Sequence, residues 1–197
     1  MIRWAQRDSN EVVLVARPKE KISTLIGQEE LQKRIKELAK EITSDYEGRD
    51  VLLIAVLKGS FMFLADLVRE MDCRVAIDFM GTSSYGASTQ TSGEVRITKD
   101  LEQSVAGRHV LLIEDIVDTG LTLRYLVDTL RARQPASLKI CTLLDKPARR
   151  RVRIGLDYYG FIIPNAFVVG YGLDFLERYR GLPYVGVLEE EDQGKRD

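Results

Sequence analysis

A chain of 197 residues, 45% hydrophobic and 30% charged, is long enough to bury the core of one compact α/β domain, and this composition excludes disordered, collagen-like and coiled-coil classes. Twenty-nine Lys and Arg against 30 Asp and Glu leave a net charge of −1, so no global basic field draws in nucleic acid or an anionic membrane surface. Two cysteines, Cys73 and Cys141, are too few for a disulfide framework or a four-thiolate zinc site, and a single histidine, His109, rules out two-histidine metal sites.

Leu31, Ile35, Leu38 and Ile42 recur at helical spacing between Lys and Glu, which predicts an amphipathic helix from Gln28 to Tyr46, ended by Gly48. The unbroken apolar run Val51 to Leu57 reads as a strand buried on both faces of a parallel sheet. After Lys58-Gly59-Ser60, helical spacing returns at Phe61, Leu64, Ala65, Val68 and Met71, and Arg74 to Met80 alternates as the next strand, which completes a βαβ unit.

From Gly81 to Gly93 the sequence GTSSYGASTQTSG carries neither charge nor apolar period, and it is expected to be a mobile, lid-like loop. His109, just before the next apolar run, is expected to be a solvated turn residue at the strand end remote from ligand. Val110 to Ile113 forms a second doubly buried strand, the helix marked by Leu123, Leu126, Val127 and Leu130 follows directly, and Leu138 to Leu144 makes another strand. Short strands are predicted at Ile154 to Asp157, Ala166 to Val169 and Val185 to Leu188, a short helical stretch around Phe175 to Tyr179, and a solvated tail from Glu189 to Asp197. No apolar stretch approaches the ~20 residues of a membrane span. No targeting signal is read, the thiols are taken as reduced, and the expected location is the cytoplasm.

The chemistry concentrates in VLLIEDIVDTGLTL, Val110 to Leu123. Glu114 and Asp115 leave the carboxyl end of a buried strand, where open α/β sheets bind ligands, and are placed to reach vicinal hydroxyls or a hydrated cation. Asp118-Thr119-Gly120-Leu121-Thr122 forms a tight turn into a helix N-terminus, whose free backbone N–H groups and hydroxyls suit a phosphate. The plainer reading is that Asp118 or Thr119 only caps the helix and the acids are solvated. The stretch is neither a Walker loop nor a dinucleotide fingerprint.

This segment resembles the phosphoribosyl pyrophosphate signature of type I phosphoribosyltransferases. VLKGSFMFLADL, SSYG, LLDKPARR and FVVGYGLDFLERYR, in that order and spacing, resemble the hypoxanthine-guanine phosphoribosyltransferases, especially the short bacterial type, over about Gln28 to Leu188. The resemblance implies a single domain over 1–197 with the type I phosphoribosyltransferase fold: a mainly parallel sheet flanked by helices, with a small hood, built from the N-terminal segment and about 146–188, over the purine site.

It also implies roles. Glu114 and Asp115 would hold the ribose hydroxyls, directly and through magnesium, Asp118 would be the base at purine N7, and Thr119, Gly120, Leu121 and Thr122 would cradle the 5′-phosphate. Lys58 and Gly59, often preceded in the family by a non-proline cis peptide, would turn amides toward pyrophosphate, with Ser84, Tyr85 and Arg180 also reaching it. Lys146 would contact the purine 6-oxo group, Phe167 would stack on the ring, Val168 would offer backbone groups to the base, and Asp174 would bind a second magnesium. The expected partners are phosphoribosyl pyrophosphate, 6-oxopurines and further copies of the chain in a homodimer or homotetramer, with no membrane or nucleic acid.

Taken singly, Lys146 reads better as a solvated cation beside the run Arg149-Arg150-Arg151, Phe167 as core and Asp174 as a helix cap, and the ordered set of motifs turns all three to the functional reading. Ala166 departs from the family, in which many members carry lysine before the stacking phenylalanine. The rival readings are a phosphoribosyltransferase for xanthine or another base, and a phosphoribosyltransferase-like RNA-binding regulator.

Overall fold

The computed structural model describes residues 21–84 and 95–189. Its elements in chain order are β1 (Lys21–Ile26), α1 (Gln28–Asp45), β2 (Val51–Leu57), α2 (Phe61–Glu70), β3 (Val75–Ser84), β4 (Val95–Lys99), β5 (His109–Val117), α3 (Leu121–Ala132), β6 (Ser137–Asp145), β7 (Tyr158–Ile162), β8 (Val168–Val169) and β9 (Val185–Glu189), with a 3-10 turn at Pro147–Arg149. Six strands form one sheet in the order β4-β3-β2-β5-β6-β7, all parallel except the β3–β4 edge pair. A separate antiparallel sheet has the order β1-β9-β8.

The doubly apolar strands are buried on both faces. Leu53, Ala55, Leu111 and Ile113 pack with Leu31, Ile35 and Leu38 of α1 and with Phe63 and Leu67 of α2. Their neighbours Leu52, Ile54, Val110 and Leu112 pack with Leu123, Leu126 and Leu130 of α3 on the other side. The first crossover runs from β2 to β3 and the later one from β5 to β6, in opposite directions along the sheet, so the strand order reverses between β2 and β5. In an open α/β sheet the carboxyl ends of two such strands diverge into a crevice, the usual ligand position.

Several elements differ from expectation. β5 runs on to Val117 because β6 pairs with it as far as Asp145, so Glu114 and Asp115 lie in the ladder rather than beyond it. Gly81 to Ser84 continue β3 against β4, since edge pairing extends the strand past the point where its apolar pattern stops; the remainder of the expected lid, 85–93, lies outside the described residues, as do 1–20 and the tail 190–197.

The strand expected at Ile154 to Asp157 forms instead at Tyr158–Ile162, which joins the large sheet beside β6. Phe175 to Tyr179 is not helical. Phe175 and Arg178 bridge across Leu176 and Glu177, at φ 50° and 61°, and Gly170 and Leu173 bridge across Tyr171 and Gly172, at φ 50° and 100°. Positive φ at both central residues is the signature of type I′ reversals. His109 opens β5 rather than sitting in a solvated turn, with Nδ1 2.8 Å from Ser137 Oγ and its ring edge-on to Tyr46; it does lie at the strand end away from the crevice. Among the described residues no helix is long and apolar enough to cross a membrane.

Candidate active site

A cleft of about 460 Å³ opens at the carboxyl ends of β2 and β5, and Lys58, Gly59, Glu114, Asp115, Lys146 and Phe167 all line it. Asp118, Thr119, Gly120, Thr122, Val168, Asp174 and Arg180 line it too, so the motifs read separately along the chain converge on one space. Leu121, the first residue of α3, is not part of the wall. Ser84 ends β3; its side chain, and the whole of Tyr85, lie outside the described residues.

Glu114 is held by burial and Asp115 by its contacts. Glu114 is 9% exposed, and its Oε2 is buried without a hydrogen-bond partner. Burial first, and then the neighbouring Asp115 charge, pushes the Glu114 carboxyl well above the usual range. Asp115 Oδ1 accepts from the Ile116 amide at 2.9 Å, and its Oδ2 would stand 1.6 Å from a Cβ on Gly59. Only glycine therefore allows the loop after β2 to lie against this carboxylate. The Leu57–Lys58 peptide is cis.

Beyond β5 the chain turns at Gly120, φ 81°, into α3. Gly120 is the residue before the helix and no side chain caps it, so Asp118 is not an N-cap and the helix N–H groups face the cleft. Thr119 Oγ1 accepts only a long 3.4 Å bond from the Leu121 amide. Asp118 Oδ1 is buried with no hydrogen-bond partner, 3.4 Å from Arg149 Nε in ion-pair range.

The run Arg149-Arg150-Arg151, read from sequence as a solvated basic stretch, is partly turned inward. Arg150 donates to the carbonyls of Asp118 and Val117 and to the Asp145 carboxylate, which ties the end of β5 to the segment after β6. Lys146 is not a solvated cation: it is 5% exposed, and its Nζ donates to the Ala166 carbonyl at 2.7 Å. Burial lowers its pKa, against a counter-pull from Asp118. Because the partner is a main-chain oxygen, alanine at 166 preserves this contact.

Phe167, 54% exposed and edge-on to Phe175 at 5.6 Å, is not core, whereas Val168 is buried in β8. Asp174 caps a turn, not a helix, by accepting from the Glu177 amide at 2.9 Å, and its Oδ1 lies 2.8 Å from Arg180 Nη2. Arg180 also donates to the Gly172 carbonyl at 2.8 Å. Sequence reasoning missed Thr82, Ile116, Arg149 and Leu173 in the wall. Arg149 stood three residues after Lys146 in a basic run, with nothing to mark it out from its neighbours.

Among the described residues no three His, Cys, Asp or Glu side chains close into a metal cage. Magnesium does not need one, since it keeps several waters and binds through one or two carboxylates plus substrate oxygens. The orphaned Glu114 Oε2 beside Asp115 fits that partial donor set.

Residues 26–176 match the phosphoribosyl transferase domain family. The chain is 57% identical over 165 residues to the hypoxanthine-guanine phosphoribosyltransferase of Bacillus subtilis, an alignment covering 84% of this chain and 92% of that one. It is 56% identical over 167 residues to the bifunctional protein TilS/HprT of Listeria monocytogenes, covering 85% of this chain but only 26% of the relative's length. The crystal structure of a hypoxanthine-guanine phosphoribosyltransferase from Bacillus anthracis superposes with a TM-score of 0.82 at 49% identity, covering 86% of this chain and 100% of that one. A strand with paired acids near its carboxyl end, a switch-point cleft and a family match over three quarters of the sequence agree, and the chain belongs to the phosphoribosyl transferase domain family.

Proposed function

We propose that this protein transfers the 5-phosphoribosyl group from phosphoribosyl pyrophosphate to N9 of hypoxanthine and guanine, giving the purine nucleoside monophosphate and pyrophosphate. One observation carries the choice of base: Lys146, a buried ammonium held at 2.7 Å by the Ala166 carbonyl, stands in the cleft wall with Asp118 and Phe167. A lysine ammonium offers three donors and no acceptor. It suits the 6-oxo group of hypoxanthine or guanine and opposes the amino group of adenine.

The mechanism follows from where charge develops. The C1′ to pyrophosphate bond breaks and the C1′ to N9 bond forms, so the sugar passes through a cationic state while an anion departs. Thr119, Gly120, Leu121 and Thr122 bind the 5′-phosphate at the uncapped start of α3. Glu114 and Asp115 orient the ribose hydroxyls. Phe167 stacks on the base, and Val168 offers its main chain to the base edge. Asp118 Oδ1, lacking a hydrogen-bond partner in the free protein, accepts the N7 proton as N9 attacks. The amides of Lys58 and Gly59, with Arg180, stabilise the departing pyrophosphate. Glu114 and Asp115, and Asp174 on the pyrophosphate side, would hold magnesium, which would supply charge neutralisation at the phosphate oxygens.

The test is kcat/KM for hypoxanthine, guanine and adenine with phosphoribosyl pyrophosphate and magnesium, in the wild type and in Lys146→Met. A site built around a hydrogen bond rejects the mismatched analogue by about 10⁴ to 10⁵. The wild type is expected to exclude adenine on that scale, and Lys146→Met to lose most of the preference by losing hypoxanthine turnover. Efficient adenine turnover by the wild type would overturn the assignment, and unchanged selectivity in Lys146→Met would overturn the role of the lysine.

A further inference from the structure

Lys58, whose amide is assigned above to pyrophosphate, and Arg180 also carry side-chain charges on that side of the cleft, and the two cations share a third group that the reaction does not use. Lys58 Nζ lies 3.2 and 3.1 Å from the two carboxylate oxygens of Glu177, so both oxygens are engaged by one ammonium. Arg180 Nη2 lies 3.5 Å from Glu177 Oε2 and 2.8 Å from Asp174 Oδ1. Glu177 is thus the common counter-ion of two residues that come from opposite sides of the cleft, one after β2 and one after β8. Its own placement is fixed by the backbone: φ is 61°, inside the two-residue reversal between Phe175 and Arg178, and its amide donates to Asp174. The Lys58 and Arg180 charges hold the Glu177 carboxyl below the usual range.

The contact is also easy to break. The Lys58 and Glu177 side chains are 66% and 68% exposed, and ion pairs this exposed are weak and screened by salt. Arg180 is incompletely satisfied, since its Nε is buried without a partner. A multiply charged phosphate arriving between Lys58 and Arg180 would compete with one carboxylate for the same donors, and Glu177, on an exposed reversal, has solvent to move into.

We propose that Glu177 is a positioning residue that acts as an exchangeable counter-ion: it holds the Lys58 and Arg180 side chains in the free protein, yields them to pyrophosphate, and takes them back as pyrophosphate leaves. The consequence is a weaker grip on pyrophosphate than the two cations alone would give, which favours release of the product. This rests on the reading of the cleft as a phosphoribosyl transfer site and adds a residue which that reading leaves idle.

The experiment is titration of the full chain with inorganic pyrophosphate and magnesium, by calorimetry, for the wild type, Glu177→Gln and Glu177→Asp at low and high salt. Removing a competitor from two exposed cations is expected to tighten pyrophosphate binding about three- to tenfold in Glu177→Gln at low salt. The gain should shrink at high salt, and Glu177→Asp, which keeps the charge, should stay near the wild type. In the forward reaction Glu177→Gln should lower KM for phosphoribosyl pyrophosphate and lower kcat with it, a split that a merely loosened turn would not produce. Unchanged or weaker pyrophosphate binding in Glu177→Gln, or equal tightening in Glu177→Asp, overturns the proposal. Hypoxanthine turnover by the wild-type preparation is measured alongside: its absence breaks the assignment of the reaction, whereas the titration alone decides the role of Glu177.

Discussion

The two walls of the cleft are built by different physics. On one side the end of β5 stays in the ladder with β6 as far as Val117, Glu114 is buried and Asp115 half-buried, and Arg150 ties the Val117 and Asp118 carbonyls to the segment after β6. On the other side, residues 170–180 have almost no ladder; two tight reversals, the main-chain bonds from Tyr171 and Gly172 to Leu182 and Arg180, the half-buried Arg180–Asp174 pair, the exposed Lys58–Glu177 pair and the Tyr171 hydroxyl donated to Asp66 of α2 hold them. The first wall is held by a sheet ladder where, on the proposed roles, the proton would be taken and the sugar oriented. The second carries an exposed, screened ion pair, Lys58 to Glu177, where on the proposed roles a highly charged product would enter and leave.

The largest expected effect lies on the first wall. Asp118→Asn keeps the shape and the hydrogen-bonding capacity but removes the proton acceptor, so single-turnover rates should fall about 10²- to 10⁴-fold while phosphoribosyl pyrophosphate still binds. Rates within error of the wild type would move the base elsewhere and weaken the claim that this wall carries the proton chemistry.

Next come the glycines at which the walls meet. A Cβ on Gly59 would stand 1.6 Å from Asp115 Oδ2, and one on Gly172, at φ 100°, 2.0 Å from the Gly59 carbonyl oxygen. Gly59→Ala must push the loop off the acid wall and should cost about 10²-fold in kcat/KM, the scale of an ångström-level misplacement. Gly172→Ala should lose activity comparably and also lower stability by about 1–3 kcal/mol, because its backbone conformation is strained for any side chain. Kinetics and urea midpoints on both variants check this, and two active variants would show that the walls are not in register through these contacts.

The last effect is electrostatic and is read in stability rather than in rate. A carboxyl whose pKa is higher folded than unfolded binds its proton more tightly in the folded state, so the folded state loses stability as pH climbs from the ordinary value towards the raised one. Glu114 is such a group, so the magnesium-free protein should weaken relative to Glu114→Gln as pH rises above about 4.5, by up to about 1.4 kcal/mol per pH unit within that window. The lowered carboxyls Asp45 and Asp100 act in the other direction and below 3.8, which separates the windows. Parallel urea-midpoint curves for the two proteins would mean that Glu114 is ionised without cost, and that this wall is wetter than its burial implies.

Local pattern was enough wherever a residue's environment is set by its own element. The runs Val51 to Leu57 and Val110 to Ile113 could be satisfied only as strands covered on both faces, and the spacing of Leu31, Ile35, Leu38 and Ile42 only by a helix with one buried stripe. The placement of Glu114 to Thr122 at a strand-to-helix junction followed from the same reasoning, and the site's identity from the order of its motifs.

Contacts between distant segments decided the rest. β1 and β4 exist because β9 and β3 offer edges to pair with, a gain that short, half-polar sequences do not announce. The strand after β6 slid to Tyr158–Ile162 because register against β6 outweighed local propensity. Phe175 to Tyr179 reads as a helix turn, yet the bridge between Phe175 and Arg178 makes it a tight reversal. Whether Lys146 is solvated, Arg149 faces Asp118 or Glu177 joins Lys58 to Arg180 depends on what another part of the chain places within about 4 Å, and at that range burial and charge act on space rather than on sequence separation.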